Sequence, residues 1–179
     1  MQTETTLGKA WVFGDDVNTD YIISSKRKRD TLDTKILANY LMEDIRPGFG
    51  TIVKPGDFLI GGSNFGCGSA MEIATEVIKG AGVRAVLAKS FSRTFFRNGI
   101  NGGLLMIVVE TDAINEGDRL SVAQDSGSII VTNHSRNTNQ RISGSAAALS
   151  AIVIDGGLIE HLKRNGGFAL TKPSLCDTP

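Results

Sequence analysis

The residues best equipped for chemistry sit in one short run, Asn64-Phe65-Gly66-Cys67-Gly68-Ser69-Ala70-Met71-Glu72. Before it comes an apolar stretch, Asp57-Phe58-Leu59-Ile60, with Gly61-Gly62. After it comes a segment with helical periodicity. Strand, glycine-rich loop and helix start, in that order, make an anion-binding device. N–H groups of a first helical turn lack partners, and the helix dipole favours negative charge there. Two nucleotide versions of the device fail. Gly66 and Gly68 fit the first two places of the dinucleotide fingerprint, but Met71 stands where the third glycine belongs. The stretch from Arg84 to Arg93 also lacks the acidic ribose partner, and no Gly-Lys-Ser/Thr triplet occurs anywhere. Ser69 has two readings. Ser69-Ala70-Met71-Glu72 has the spacing of a capping box, in which the hydroxyl only closes the helix. Alternatively the hydroxyl acts as a base. Serine is too weak a base in water for that, so the role needs converging amides and a nearby cation.

The elements that must position this loop are legible around it. Lys9 to Phe13 reads as a short strand, followed by the turn-rich Gly14 to Asp20. Tyr21-Ile22-Ile23 is a second apolar piece, ending at the basic cluster Lys26-Arg27-Lys28-Arg29. Ile36, Leu37, Tyr40 and Leu41 mark one helix face over Thr34 to Glu43, closed by Pro47-Gly48. The spacing predicts a strand over Asp57 to Ile60 and a helix starting at Ser69, with Ala70, Ile73, Ala74, Val77, Ile78 and Ala81 inward. A strand over Arg84 to Lys89, a helix over Arg93 to Asn98 and a strand over Leu104 to Val109 follow. Strands alternating with helices are normally parallel. Further on, Asp118 to Ala123 and Ser128 to Thr132 flank a hairpin turn, and Leu149 to Ile154 and Leu158 to Lys163 read as helices. Pattern alone supports an α/β core with an attached β portion.

Composition narrows the function. Hydrophobic residues make up 41% and charged residues 21% of 179 positions, as in a soluble globular protein forming a single domain over 1–179. Its core is expected over about residues 8–165, with looser termini. Lys plus Arg and Asp plus Glu number 19 each, so no general field draws nucleic acid or an anionic membrane. No apolar run reaches the roughly 20 residues that span a bilayer, and the polar, acidic N-terminus is unlike the basic-then-apolar layout of a signal peptide. The expected compartment is the cytoplasm. Cys67 and Cys176 are far apart, and His134 and His161 form no ligand-spaced pair. Neither a disulfide framework nor a metal site held by this chain is expected.

A series of landmarks in order over most of the chain carries a resemblance. Asp16-Val17-Asn18-Thr19-Asp20-Tyr21-Ile22-Ile23 is similar to the N-terminal motif of isopropylmalate isomerase and homoaconitase small subunits. Asn64 to Ser69 resembles their active-site loop, and Ala88 to Leu104 a third signature. Glu116-Gly117-Asp118 and Gly156-Gly157-Leu158-Ile159-Glu160 resemble the later landmarks. The resemblance implies the aconitase-type swivelling β/β/α domain. It implies a hydro-lyase that reversibly dehydrates a hydroxy di- or tricarboxylic acid, as in leucine biosynthesis. It further implies a large partner subunit, in a heterodimer or heterotetramer, whose three cysteines carry a [4Fe–4S] cluster. Ser69 matches the catalytic serine, with Gly66, Cys67 and Gly68 giving close backbone approach. Thr19 and Asp20 match the motif ordering the substrate side of the cleft. The Lys26 to Arg29 loop falls where the family selects the variable group of its substrate. Arg29 is the foremost candidate for a carboxylate contact, with Lys26 beside it, and a merely solvated basic loop is the alternative. Arg93 and Arg97 are expected to pair with acidic groups or with the partner.

One position departs from the pattern. Relatives usually continue the loop as Ser-Ser-Arg-Glu, the arginine binding a substrate carboxylate; here the run is Ser69-Ala70-Met71-Glu72. A thioether cannot make the bidentate contact of a guanidinium. Three explanations stand open. The substrate carries a less charged or differently placed group and the basic loop compensates; the chain serves a related hydratase, such as a dimethylmalate- or homoaconitate-type enzyme; or it is a non-catalytic, anion-binding partner.

Overall fold

Four short apolar segments find both faces covered, and that places them side by side in parallel. In the computed structural model, which describes residues 7–125, 127–143 and 145–166, they are β1 (Gly8–Gly14), β2 (Phe58–Gly61), β3 (Ala85–Ala88) and β4 (Met106–Val108). Each pairs in parallel with the next, in register Ala10↔Phe58, Phe58↔Ala85 and Val86↔Met106. Three antiparallel strands follow, β5 (Arg119–Asp125), β6 (Ser128–Asn133) and β7 (Thr138–Ile142). All seven form one sheet in the order β4-β3-β2-β1-β5-β6-β7.

Alternation along the parallel strands divides the core in two. Trp11, Leu59, Val86 and Met106 face one cluster; Ala10, Phe58, Ile60, Ala85, Leu87 and Ile107 face the other. Helices cover the first. Between β1 and β2 run four short ones, α1 (Thr19–Ile22), α2 (Arg27–Asp30), α3 (Thr34–Ala38) and α4 (Phe49–Ile52). The crossovers β2–β3 and β3–β4 carry α5 (Glu72–Gly80) and α6 (Arg93–Asn101). Two more, α7 (Ser145–Ile154) and α8 (Leu158–Asn165), follow β7, and Ile152 joins the same core. The second cluster also holds Leu120, Ile129 and Val131, so the antiparallel strands curl over the far face of the parallel ones. The layers read β/β/α.

Asp57 shows how the crossovers are anchored. It is 6% exposed, and its carboxylate accepts from the Lys9 and Lys54 N–H groups at 2.9 Å each and the Trp11 indole at 2.8 Å. That satisfied cluster pins the start of β2 to β1.

Differences from expectation are local. The apolar Tyr21-Ile22-Ile23 piece belongs to a single helical turn, capped by Asn18, whose Oδ1 accepts from the Asp20 N–H at 2.9 Å. The helix expected over Thr34 to Glu43 ends at Ala38, and Met42 adopts φ +57°. There the fully buried Met42 donates its N–H to the Ile22 carbonyl at 3.0 Å, a tertiary tie that replaces the helical continuation. Strand β7, Thr138-Asn-Gln-Arg-Ile142, went unpredicted because it is a polar edge strand without apolar alternation.

Candidate active site

Parallel strands point one way, so the loops that follow them converge at a single end of the sheet. Here the loops after β1, β2 and β3 are zipped together by hydrogen bonds. From the β2 loop, Gly62 N–H donates to Gly14 O at 2.7 Å, Gly66 N–H to Val17 O at 2.8 Å, and Ser63 N–H to Asp15 Oδ1 at 2.6 Å. In return Asp16 N–H donates to Ser63 O at 2.9 Å and Thr19 N–H to Cys67 O at 2.8 Å. On the other side Phe65 N–H donates to Ser90 O at 3.0 Å, Ser92 N–H to Phe65 O at 2.9 Å, and Ser92 Oγ to Gly66 O at 2.6 Å.

Close packing of these loops demands unusual backbone. Gly66 has φ +78°, and a Cβ there would lie 2.1 Å from Cγ of the Phe95 ring. Gly68 has φ +90°, and its Cβ would lie 2.5 Å from Asn18 Oδ1. These glycines let the loop lie against α6 and the α1 cap. Asp16 and Asn64 are also left-handed, at φ +52° and +58°, and Asn64 Nδ2 donates to Asp16 Oδ1 at 2.8 Å. Asp and Asn tolerate that region better than other residues with a Cβ.

The structure corrects the expected helix start. Helix α5 begins at Glu72, its N-cap position is Met71, and that cap has no side-chain hydrogen bond. Ser69 therefore closes no capping box. Its carbonyl is held instead, accepting from Thr19 Oγ1 at 3.0 Å and from Met71 N–H at 2.8 Å. Those two bonds turn residues 69–71 out of helical register. Ala70, expected inward, is exposed, as are Gly68 and Ser69. The Ser69 hydroxyl has no hydrogen-bond partner among the described residues.

Other candidates sort themselves by contact. Thr19, 1% exposed, braces the loop twice, through its N–H on Cys67 and its hydroxyl on Ser69. Asp20 lies farther back, its Oδ1 accepting from Ser25 Oγ at 2.8 Å. Cys67 is half-buried, its thiol 3.4 Å from Asp16 O. Among the described residues, no three His, Cys, Asp or Glu side chains converge as a metal-binding set; Cys176 lies outside the described residues. The described residues thus do not fit an iron–sulfur cluster.

In the basic cluster, Arg27 is spoken for. Its guanidinium meets Glu43 with two bonds, 2.7 and 3.0 Å, and lies 3.9 Å from the centre of the Tyr40 ring. The hydrogen bond to Glu43 raises its pKa further. Lys26 and Arg29, the candidates from sequence, are exposed, with no side-chain partner among the described residues. It is Lys28 that reaches the β2 loop, its half-buried ammonium against Met71 Sδ. Sequence reasoning missed it. All four residues of the cluster carry charge, and only the orientation of one helical turn separates them. Arg93 and Arg97 are exposed on α6, with no acidic side-chain partner among the described residues.

The β/β/α layering and the three loops joined at one end of the sheet, with the exposed Ser69 on the second, define the class, and residues 53–112 match the aconitase C-terminal domain family. Similarity extends well beyond that stretch. The chain is 41% identical to a 3-isopropylmalate dehydratase small subunit of Archaeoglobus fulgidus, over 92% of this chain and 98% of that one. It is 42% identical to the methanogen homoaconitase small subunit of Methanocaldococcus jannaschii, over 88% and 91% respectively. The crystal structure of 3-isopropylmalate dehydratase from the same organism superposes with a TM-score of 0.79 at 40% identity, covering 89% of this chain and 94% of that one. This chain belongs to the family of 3-isopropylmalate dehydratase small subunits.

Proposed function

We propose that this chain is the small subunit of a heteromeric hydro-lyase acting on a hydroxy dicarboxylic acid of the isopropylmalate type, with Ser69 as the proton-transferring residue. The observation that carries the reading is the state of Ser69: its backbone is pinned through its carbonyl while its hydroxyl is exposed and unpartnered. A residue held so firmly with so little for its side chain to do is positioned for something outside the chain. Thr19 is then a positioning residue, and Gly66, Cys67 and Gly68 shape the loop that presents the hydroxyl. Asp20 supports the α1–α2 turn, and Lys26 and Arg29 line the approach as further cations.

An exposed hydroxyl gains basicity only when water is excluded and positive charge stands near. Both requirements fit closure by a large partner subunit. That subunit would carry the [4Fe–4S] cluster, which supplies Lewis acidity toward the departing hydroxyl. On this chain, the Ser69 alkoxide, its proton given up to solvent before closure, takes the proton from the carbon beside a carboxylate to become the hydroxyl, and returns that proton when water is added back. The compartment that fits this chemistry is the cytoplasm; among the described residues no helix is long and apolar enough to cross a membrane.

The test is anaerobic reconstitution with the paired large subunit, following absorbance of the unsaturated intermediate. Ser69→Ala should abolish turnover, by a factor of about 100 or more, while the two chains still co-elute. Activity that survives the substitution ends the assignment.

A further inference from the structure

We propose a second ligand site in this chain, a cleft at the end of the sheet opposite the Ser69 loop that takes a small aliphatic dicarboxylate. It is independent of the reaction proposed for Ser69. The cleft, of about 350 Å³, lies where β1 and β2 begin, with the link from α4 to β2 on one side and the start of β5 on the other. That volume falls within the range of about 300–1,000 Å³ typical of small-molecule pockets.

The starting observation is a pair of like charges set against each other by strand register. Lys9 of β1 stands directly across the antiparallel ladder from Arg119 of β5. Residues so opposed share one face, with Cβ atoms about 4.5–5.5 Å apart, and like charges there are destabilising. Lys54 adds a third cation to the same cleft. None of the three forms an ion pair among the described residues. Asp57 is the one carboxylate in the lining, and its oxygens are already taken. They accept from the Lys9 and Lys54 backbone N–H groups and the Trp11 indole, not from the ammonium groups. Three cations therefore surround one carboxylate, an excess of two positive charges. Bringing them together costs the fold a repulsion that an incoming dianion relieves.

The surroundings say what kind of dianion. Lys9 is half-buried, its ammonium 3.5 Å from the centre of the Trp11 ring, which fixes it against the wall of the cleft. A cation partly removed from water in this way attracts an anion more strongly than a fully solvated one. Arg119 presents a planar fork that meets a carboxylate with two parallel bonds. Leu7 and Ile52, both exposed, give the lining an apolar share. Two carboxylates answer the excess charge, and a short aliphatic body answers Leu7 and Ile52. Inorganic phosphate supplies the charge without the body, and a branched monocarboxylate the body without the second charge.

Trp11 is the single tryptophan of the chain and lines the cleft, so its fluorescence reports on this place. The full chain is titrated with 2,2-dimethylsuccinate, inorganic phosphate, isovalerate and sodium chloride at matched ionic strength. The same titrations are run on Arg119→Gln and Lys54→Gln, with Lys35→Gln, an exposed lysine on α3, as the charge control. Both target side chains are exposed, and thermal unfolding by circular dichroism checks that each variant is folded.

2,2-Dimethylsuccinate should change the emission saturably. Isovalerate should bind at least about tenfold more weakly for want of a charge-assisted contact, and phosphate more weakly for want of an apolar one. Arg119→Gln and Lys54→Gln should each weaken 2,2-dimethylsuccinate by about tenfold, and Lys35→Gln should leave it unchanged. Saturating 2,2-dimethylsuccinate should also raise the Tm of the parent chain more than that of Arg119→Gln. The absence of any saturable change overturns the proposal, as does a change that sodium chloride reproduces. So does an affinity within twofold of the parent in both cleft variants. Phosphate or isovalerate binding as tightly as 2,2-dimethylsuccinate overturns the assignment to a dicarboxylate.

Discussion

Replacing Thr19 with valine separates positioning from stability at this site. The side chain is 1% exposed, and its hydroxyl donates one bond, 3.0 Å, to the Ser69 carbonyl. Valine keeps the volume and branching and removes only the donor. The carbonyl is not orphaned, because Met71 N–H still donates to it at 2.8 Å, and the Thr19 N–H still holds Cys67. The loss is therefore that of one ordinary hydrogen bond, about 0.5–1.5 kcal/mol. For a chain of this size that lowers Tm by roughly 2–4 °C per kcal/mol. Catalysis should suffer more. A misplacement of about 1 Å at a reacting group can reduce rate on the order of 100-fold, and here a single remaining bond would fix the carbonyl next to the hydroxyl proposed to react. Turnover by the reconstituted complex should fall about 10- to 100-fold in kcat with KM little changed, and Thr19→Ser should recover most of it. Thermal unfolding by circular dichroism gives the stability arm. A Thr19→Val complex that shows the small Tm loss but retains kcat within twofold would refute the claim that this bond places Ser69.

Two further expectations follow from geometry and charge. Gly68→Ala should destabilise by about 2–3 kcal/mol, combining roughly 1–2 kcal/mol for a left-handed alanine with displacement of the Asn18 cap, which denaturant titration will read. Asp118 should control acid stability. Burial pushes its carboxyl up, but the Asn115 N–H, the Asn133 amide and the Arg136 guanidinium outweigh this and hold it below its usual value. A depressed folded pKa gives stability that is present above the unfolded value, about 3.9, and lost as pH falls through the folded one. Urea unfolding between pH 6 and pH 3 should accordingly show a steeper loss for the parent chain than for Asp118→Asn; equal slopes would contradict it.

Much of this architecture is written in local pattern. Runs such as Phe58 to Ile60 and Ala85 to Ala88 are buried on both faces, so they announce themselves as unbroken apolar segments. The glycine loop is legible for the same reason: Gly66 and Gly68 occupy backbone conformations that favour glycine. What stayed hidden depends on contacts across long sequence separations. Ser69-x-x-Glu72 satisfies the rule for a cap, yet the Thr19 hydroxyl, 50 residues away, captures the Ser69 carbonyl, and the helix starts later. The choice of Lys28 over Arg29 was beyond pattern as well, since Arg27 orients the turn through Glu43, 16 positions on. Strand β7 was invisible because its order comes from pairing with β6 and not from burial.

The way α2 is attached bears on how such a protein can diversify. One arginine moors the turn, and the residues on either side of it owe nothing to the hydrophobic interior. Positions 26, 28 and 29 can thus exchange charge, size or polarity while folding proceeds as before. Ser69 and the strands behind it stay untouched by such changes. If the proposed function holds, a lineage can retune which acid it accepts by drift within this single turn; similar chains include both a 3-isopropylmalate dehydratase and a homoaconitase small subunit.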